Sequence, residues 1–255
     1  MRSRKRKKTA VRKGQLELPK LDKNGQRRGG KRPGAGRPPK GNKALVGHRR
    51  RGEIKAYLPH HVTLRVAPQV RWLRTPKAHR AIRNALAAVL DRAHEFRIVH
   101  YSIQGNHVHL LCEASGKRAL GNGVRAFEVS AARQLNREMG REGQVFPDRY
   151  HVETIDSVRQ VCHALSYVLN NWRKHEQDGG VVGMYDGKID PFSSGVVFVG
   201  WKERTRPVEV PEGYGAPPVS MAESWYLTVG YKLGPPVSVW AVPGARVARV
   251  SRIGR

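Results

Sequence analysis

The order in which two hydrophobic periods alternate over residues 56–175 constrains this chain more than any other feature. Over 56–66 apolar and polar residues take turns, with Val62, Leu64 and Val66 on one side and His61, Thr63 and Arg65 on the other, as in a strand with one buried face. Thr75-Pro76 then opens a helix whose apolar residues Ala78, Ile82, Leu86, Val89 and Leu90 recur at helical spacing as far as Phe96. Alternation returns over 97–104, where Val99, Tyr101 and Ile103 oppose His100, Ser102 and Gln104, and Gly105-Asn106 makes a hairpin turn into a third strand over 107–114. Residues 118–139 read as a helix closing at Gly140, 150–154 as a fourth short strand, and Ser157 with Gln160 as a capping box at the head of a third helix.

Strand-helix-strand-strand-helix-strand is the split βαβ, or ferredoxin-like, arrangement, an α+β fold whose first and third strands lie together at the centre of an antiparallel sheet. An added helix over 157–175 follows. If both crossover helices cover one face, Val62, Leu64, Val108 and Leu110 point toward them, and the other face carries His61, Thr63, Arg65, His107 and His109. Three regions are expected: a basic arm over 1–52, a globular domain over 53–175 and an irregular extension over 176–255. In the extension, 225–229 and 237–242 read as short strands or packing segments.

Charge indicates the partner. Lys plus Arg number 48 against 20 for Asp plus Glu, a formal net charge of +28, and a polyanion is the expected ligand. Residues 1–53 hold 20 of those bases and only the acids Glu17, Asp22 and Glu53, net +17. Such a stretch, broken by Gly and Pro, lacks apolar surface to offset its ordering entropy and reads as a disordered arm that binds phosphates without reading bases. Within it, Gly36-Arg37-Pro38 resembles the core of an AT-hook, in which an Arg lies in a narrow minor groove, although the signal is weak and a Gly/Pro/Arg linker held on DNA by charge alone is the preferred reading. Only Cys112 and Cys162 could form a disulfide, and no apolar run is long enough for a bilayer span or a signal-peptide core. A cytoplasmic, nucleoid-associated protein is the expectation.

Chemistry concentrates in Asn106-His107-Val108-His109, because period-two geometry puts both imidazoles on one strand face about 7 Å apart, near enough to share a divalent ion. Two hydrogen-bonded or solvent-facing histidines would give the same pattern. In the third helix, Val158, Val161, Cys162, Leu165, Val168, Leu169 and Trp172 form an apolar stripe, which sets Tyr167 nearly opposite, with Asn171 one turn after it and His163 one turn before. These polar residues line one non-core face. His61, His100 and His151 read as contacts to phosphate or to neighbours.

Four segments together resemble the single-tyrosine transposases of the HUH nuclease superfamily, and most closely the REP-associated tyrosine transposases. They are Pro59-His60-His61-Val62-Thr63-Leu64-Arg65, the run from His100 to Leu111, Val145-Phe146-Pro147-Asp148-Arg149-Tyr150-His151, and the run from Ala164 to His175. The resemblance spans residues 53–175. It implies that His107 and His109 are ligands of Mg²⁺ or Mn²⁺, that Asn171 supplies the third ligand and that Tyr167 is the nucleophile on single-stranded DNA, cutting through a 5′-phosphotyrosine. It also implies hairpin repeat ends as the substrate and a monomer or homodimer as the working unit. Arg65, Arg149, Arg173 and Lys174, with His61, are the DNA contacts expected around such a site, and His163 is an auxiliary candidate. The basic arm and the region after His175 lie outside the resemblance.

Three other readings stand beside this one. A catalytically silent descendant could bind DNA as a repressor or chromosome-associated protein. An RNA-binding sheet would place aromatics on its open face, where this chain has His, Thr, Arg and Ser. A nuclease using metal-bound water on duplex DNA would leave Tyr167 incidental.

Overall fold

The computed structural model describes residues 53–70, 72–90, 95–179, 189–203 and 215–243, and within 174–179 it describes the backbone only. The basic arm of 1–52 with Arg37, and the side chain of Lys174, lie outside the described residues. Seven elements make the α+β core: β1 (His60–Arg65), α1 (Pro76–Leu90), β2 (Phe96–Ile103), β3 (His107–Ala114), α2 (Lys117–Glu138), β4 (His151–Thr154) and α3 (Val158–Gly179). The sheet runs β2-β3-β1-β4 with every pairing antiparallel, so β1 and β3 are central as the split βαβ order requires. Register matters for the site. Thr63 lies opposite His109 and Arg65 opposite His107 across β1 and β3, and His61 lies opposite Glu153 across β1 and β4.

One sheet face is covered by α1 and α2. Val62, Leu64, Val108 and Leu110 point into that layer and pack with Ile82, Leu86, Leu120 and Phe127. Phe96, which helical spacing assigns to the end of the first helix, instead begins β2 and pairs with Ala114. Its ring lies so close to Gly123 of α2 that a Cβ there would approach it to 2.1 Å, so helix and strand meet only because Gly123 has no side chain.

β2 departs from simple alternation. Ile98 pairs with Cys112 and His100 with Leu111, leaving Val99 as a bulge residue. Ile98 therefore joins Tyr101 and Ile103 under α1 and α2, whereas Val99 turns to the opposite face. The expected grouping of Val99 with Tyr101 and Ile103 is corrected by this one-residue slip.

The opposite face is covered as well. Over its β2–β3 half, Val99 and Leu111 pack under α3 through Val161, Leu165, Val168 and Leu169, and this second core continues into the extension through Ile189, Phe198, Trp201, Leu227, Tyr231 and Val239. Residues 225–228, expected as a strand or packing segment, form a short helix α4 (Trp225–Thr228) capped by the Ser224 hydroxyl, which accepts from the Leu227 amide. Val237 makes an isolated bridge to Trp201. Polar anchors fasten the extension: buried Asp190 holds Arg74 through both guanidinium nitrogens at 2.8 and 2.9 Å, and buried Glu113 accepts from the Glu223 and Ser224 amides.

Candidate active site

The strand histidines and the polar side of α3 meet where the sheet is not sealed by the second core. His107 and His109 have ring centroids 4.6 Å apart, and the Tyr167 ring stands edge-on to His109 at 5.2 Å and to His61 at 5.6 Å. Asn171, on α3, places its amide Nδ2 3.1 Å from His109 Nε2. Tyr167 is half-buried and Asn171 fully buried, so this side of the helix faces the sheet and not solvent. α3 lies between sheet and extension, with the Asn170 amide donating to Ser238 carbonyl and the Cys162 thiol to Tyr231 carbonyl on its far side. A helix enclosed from two sides has no single non-core face.

The hydrogen bonds determine where each imidazole carries its proton. The Asn106 side-chain oxygen lies 2.7 Å from His107 Nδ1 and can only accept, so Nδ1 donates and Nε2 keeps its lone pair. On His109, Nε2 accepts from Asn171, so Nδ1 carries the proton, within reach of Thr63 Oγ1 at 3.2 Å and His61 Nε2 at 3.1 Å. Both rings are thus oriented through Nδ1, with the lone pair on Nε2, which in His109 accepts from Asn171. Burial, the larger effect, holds His61 down at about 4, with Glu153 opposing and His151 adding to it, so His61 is a neutral acceptor at physiological pH. Burial raises the Tyr167 phenol above its ordinary value, and the Glu153 carboxylate adds to this.

The donor set suits a divalent cation. Two neutral imidazoles with Nδ1 engaged, and an amide whose flip presents Oδ1 in place of Nδ2, are three neutral N/O donors that could hold a divalent cation and leave its charge undiminished. Among the described residues no three His, Cys, Asp or Glu side chains are grouped as a metal site, and the third donor here is an amide.

The other expected residues fall at varying removes. Arg65 is exposed on β1 beside His107, and Arg149 is exposed in the loop before β4. Arg173 stacks on Trp172 and on Trp240, with its guanidinium carbon 4.5 and 5.3 Å from the ring centroids. His163 is exposed, and none of the contacts that join the cluster reaches it. His61, one of the expected DNA contacts, touches His109 and Tyr167. Local sequence pattern does not point to Asn106, Thr63 and Glu153 as members of the site. Carrying the register across β1 and β3 finds Thr63 opposite His109, and Asn106 is found by its place immediately before the pair.

Residues 56–171 match the profile of the family described as transposase, IS200-like. These residues are similar to an IS200-like transposase domain. The match ends on Asn171, so the domain includes every residue of the cluster. Among solved structures, a REP-associated tyrosine transposase bound to a REP hairpin is similar at 20% identity, covering 58% of this chain and 82% of that one with a TM-score of 0.46. A candidate transposase from Deinococcus radiodurans R1 is similar at 15% identity over 51% of this chain and 94% of that one, with a TM-score of 0.34. No curated protein matches. Among the described residues no helix is long and apolar enough to cross a membrane.

Proposed function

We propose that this chain is a metal-dependent endonuclease and strand transferase acting on single-stranded DNA at hairpin repeat ends, with Tyr167 as nucleophile. The observation that carries the reading is that one ring, His109, touches His107, Asn171 and Tyr167 together. His107, His109 and Asn171 would hold Mg²⁺ or Mn²⁺, which when bound supplies Lewis-acid polarisation of the scissile phosphodiester and favours the phenolate. Tyr167 Oη attacks phosphorus, the P–O3′ bond breaks, and the phenolic proton is balanced by the one gained at the released 3′-hydroxyl. The 5′-phosphate stays on Tyr167, and attack by a 3′-hydroxyl reverses the step, so the bond energy is retained without ATP. Burial raises the Tyr167 phenol above its ordinary value, so the bound cation would have to favour the phenolate against it.

Arg65 and Arg149, both exposed, Arg173, Lys174 and the basic arm with Arg37 would hold the phosphate backbone. His61 and Glu153 would act from behind, His61 as a brace on His109. His163 would stay a backbone contact at most. Incubating the full chain with single strands bearing the repeats that flank its gene, in Mn²⁺, should give a covalent adduct on a denaturing gel. Binding without any adduct, in either metal, would favour the silent DNA-binding descendant.

A further inference from the structure

Trp72 is 60% exposed, yet its position is tightly determined. Leu73, the next residue, is fully buried and donates its amide to Gly105 carbonyl at 2.8 Å, while Arg74 is held by Asp190. The indole lies on Gly105 so closely that a Cβ there would come within 2.2, 2.5 and 2.6 Å of its six-membered ring. Gly105 immediately precedes Asn106, whose side chain orients His107, and the Asn106 carbonyl accepts from the Val66 amide next to exposed Arg65. A large apolar ring is therefore fixed on the β2–β3 turn that leads into His107, with much of its surface in solvent. Packing does not account for the exposed face, and among the described residues no aromatic ring covers it. Trp225 and Trp240 are also exposed, but both belong to the extension.

We propose that the outer face of Trp72 is a stacking platform for one nucleobase of the single strand whose phosphate enters the His107, His109 and Tyr167 cluster. The proposal rests on the nucleic-acid reading above and adds to it a base contact. A single strand exposes the π-faces of its bases, and stacking on an aromatic side chain tolerates sequence, whereas paired bases in a duplex have no free face to offer. Arg65 on the neighbouring strand would hold the phosphate beside that base.

Binding is read by fluorescence anisotropy of a labelled 20-nucleotide single strand, and of its duplex, with the full chain in EDTA, where no cleavage occurs. Trp72→Ala should weaken single-strand binding about 5- to 150-fold, leave duplex binding unchanged and leave the slope of log affinity against log salt unchanged, since the same phosphates stay neutralised. Trp72→Phe should keep most of the affinity, and Gly105→Ala, which displaces the indole, should reproduce the loss without adding to it in the Trp72→Ala background. Equal single-strand affinity in Trp72→Ala and the parent would overturn the platform, as would an equal loss on single strand and duplex. The measurement is independent of adduct formation, so a chain that never forms the phosphotyrosine can still pass or fail it.

Discussion

His61 Nε2 stands 3.1 Å from Nδ1 of His109, so one strand imidazole is braced by another from the adjacent strand. Thr63 shares the task from two residues along, at 3.2 Å. A ligand ring fixed from behind loses less freedom on binding a cation and keeps the correct nitrogen forward. His61→Ala should therefore raise the Mn²⁺ concentration for half-maximal adduct formation by about 10- to 100-fold, the usual effect of removing a group that orients a metal ligand. The adduct yield at saturating Mn²⁺ should largely recover. If the yield stays low at every Mn²⁺ concentration with affinity for metal unchanged, His61 acts on substrate and not on His109.

Tyr167→Phe should remove the adduct and leave DNA affinity nearly unaltered, because one hydroxyl is minor beside the phosphate contacts of a chain with net charge +28. His107→Ala and His109→Ala should both remove metal-dependent cleavage, but they should differ in stability. His109 is 2% exposed and serves Asn171, Thr63 and His61, so its loss leaves buried polar groups without their partner, at a cost of about 1–3 kcal/mol. His107, at 9% exposed, should cost less. Equal thermal midpoints for the two variants would contradict this difference.

Much of this was readable in the order of residues. The β-α-β-β-α-β topology follows from periods of 2 and 3.6 that alternate along the chain, first changing at Thr75-Pro76, with Gly105-Asn106 as the turn between two strands, because each strand has a distinct apolar side to bury. The cluster was readable for the same reason, since period two puts His107 with His109 and helical spacing puts Tyr167 with Asn171. Two features were not. The bulge at Val99 depends on which residue of β3 it meets, which no local pattern encodes. The burial of Asn171 comes with the packing of α3 between the sheet and the extension, and the extension carries no periodic signal, only Gly, Pro and separated aromatics.

Acid should destabilise the fold through its buried imidazoles. Burial lowers His60 and His100 to about 4, and burial with the nearby Arg83 and Arg74 cations lowers His79 to about 3, each from an ordinary value near 6.5. The unfolded chain thus takes up protons between about pH 6.5 and 4 that the folded chain refuses, and stability falls across that window as pH is lowered. The slope is about 1.4 kcal/mol per pH unit for each histidine at most. His79→Leu, which keeps the packing against Phe192, should flatten the curve by one proton, measured as the denaturant midpoint at pH 7, 6 and 5. An unchanged slope would show that His79 is already protonated in the fold.

Deleting residues 1–52 should weaken binding to specific and scrambled single strands alike, because net charge attracts phosphate without regard to base. The plot of log affinity against log salt should flatten by roughly 0.7 for each phosphate that the arm no longer neutralises. Adduct formation at saturating DNA should persist, since the cluster lies between His61 and Asn171. A truncated chain that kept its affinity and lost discrimination would make Arg37 and its neighbours base readers.

Asp190 anchors the extension, and its loss should be felt across the whole domain. The carboxylate is fully buried and accepts from both guanidinium nitrogens of Arg74 and from the Phe192 amide, while Arg74 also donates to Ile103 carbonyl and lies 4.6 Å over the Phe192 ring. Removing one member of such a pair leaves the other charge largely desolvated and uncompensated, a cost of about 3–5 kcal/mol. Asp190→Ala should therefore lower the unfolding free energy by that order and, if the extension and sheet form one cooperative unit, move the transition seen by every probe together. Replacing both partners, Arg74→Met with Asp190→Leu, should recover part of the loss, because two apolar groups of similar volume leave no charge stranded. A separate early transition in Asp190→Ala, with the β-sheet signal unmoved, would instead make the extension an independent unit. Its contact with α3 would then be dispensable for keeping Asn171 against His109.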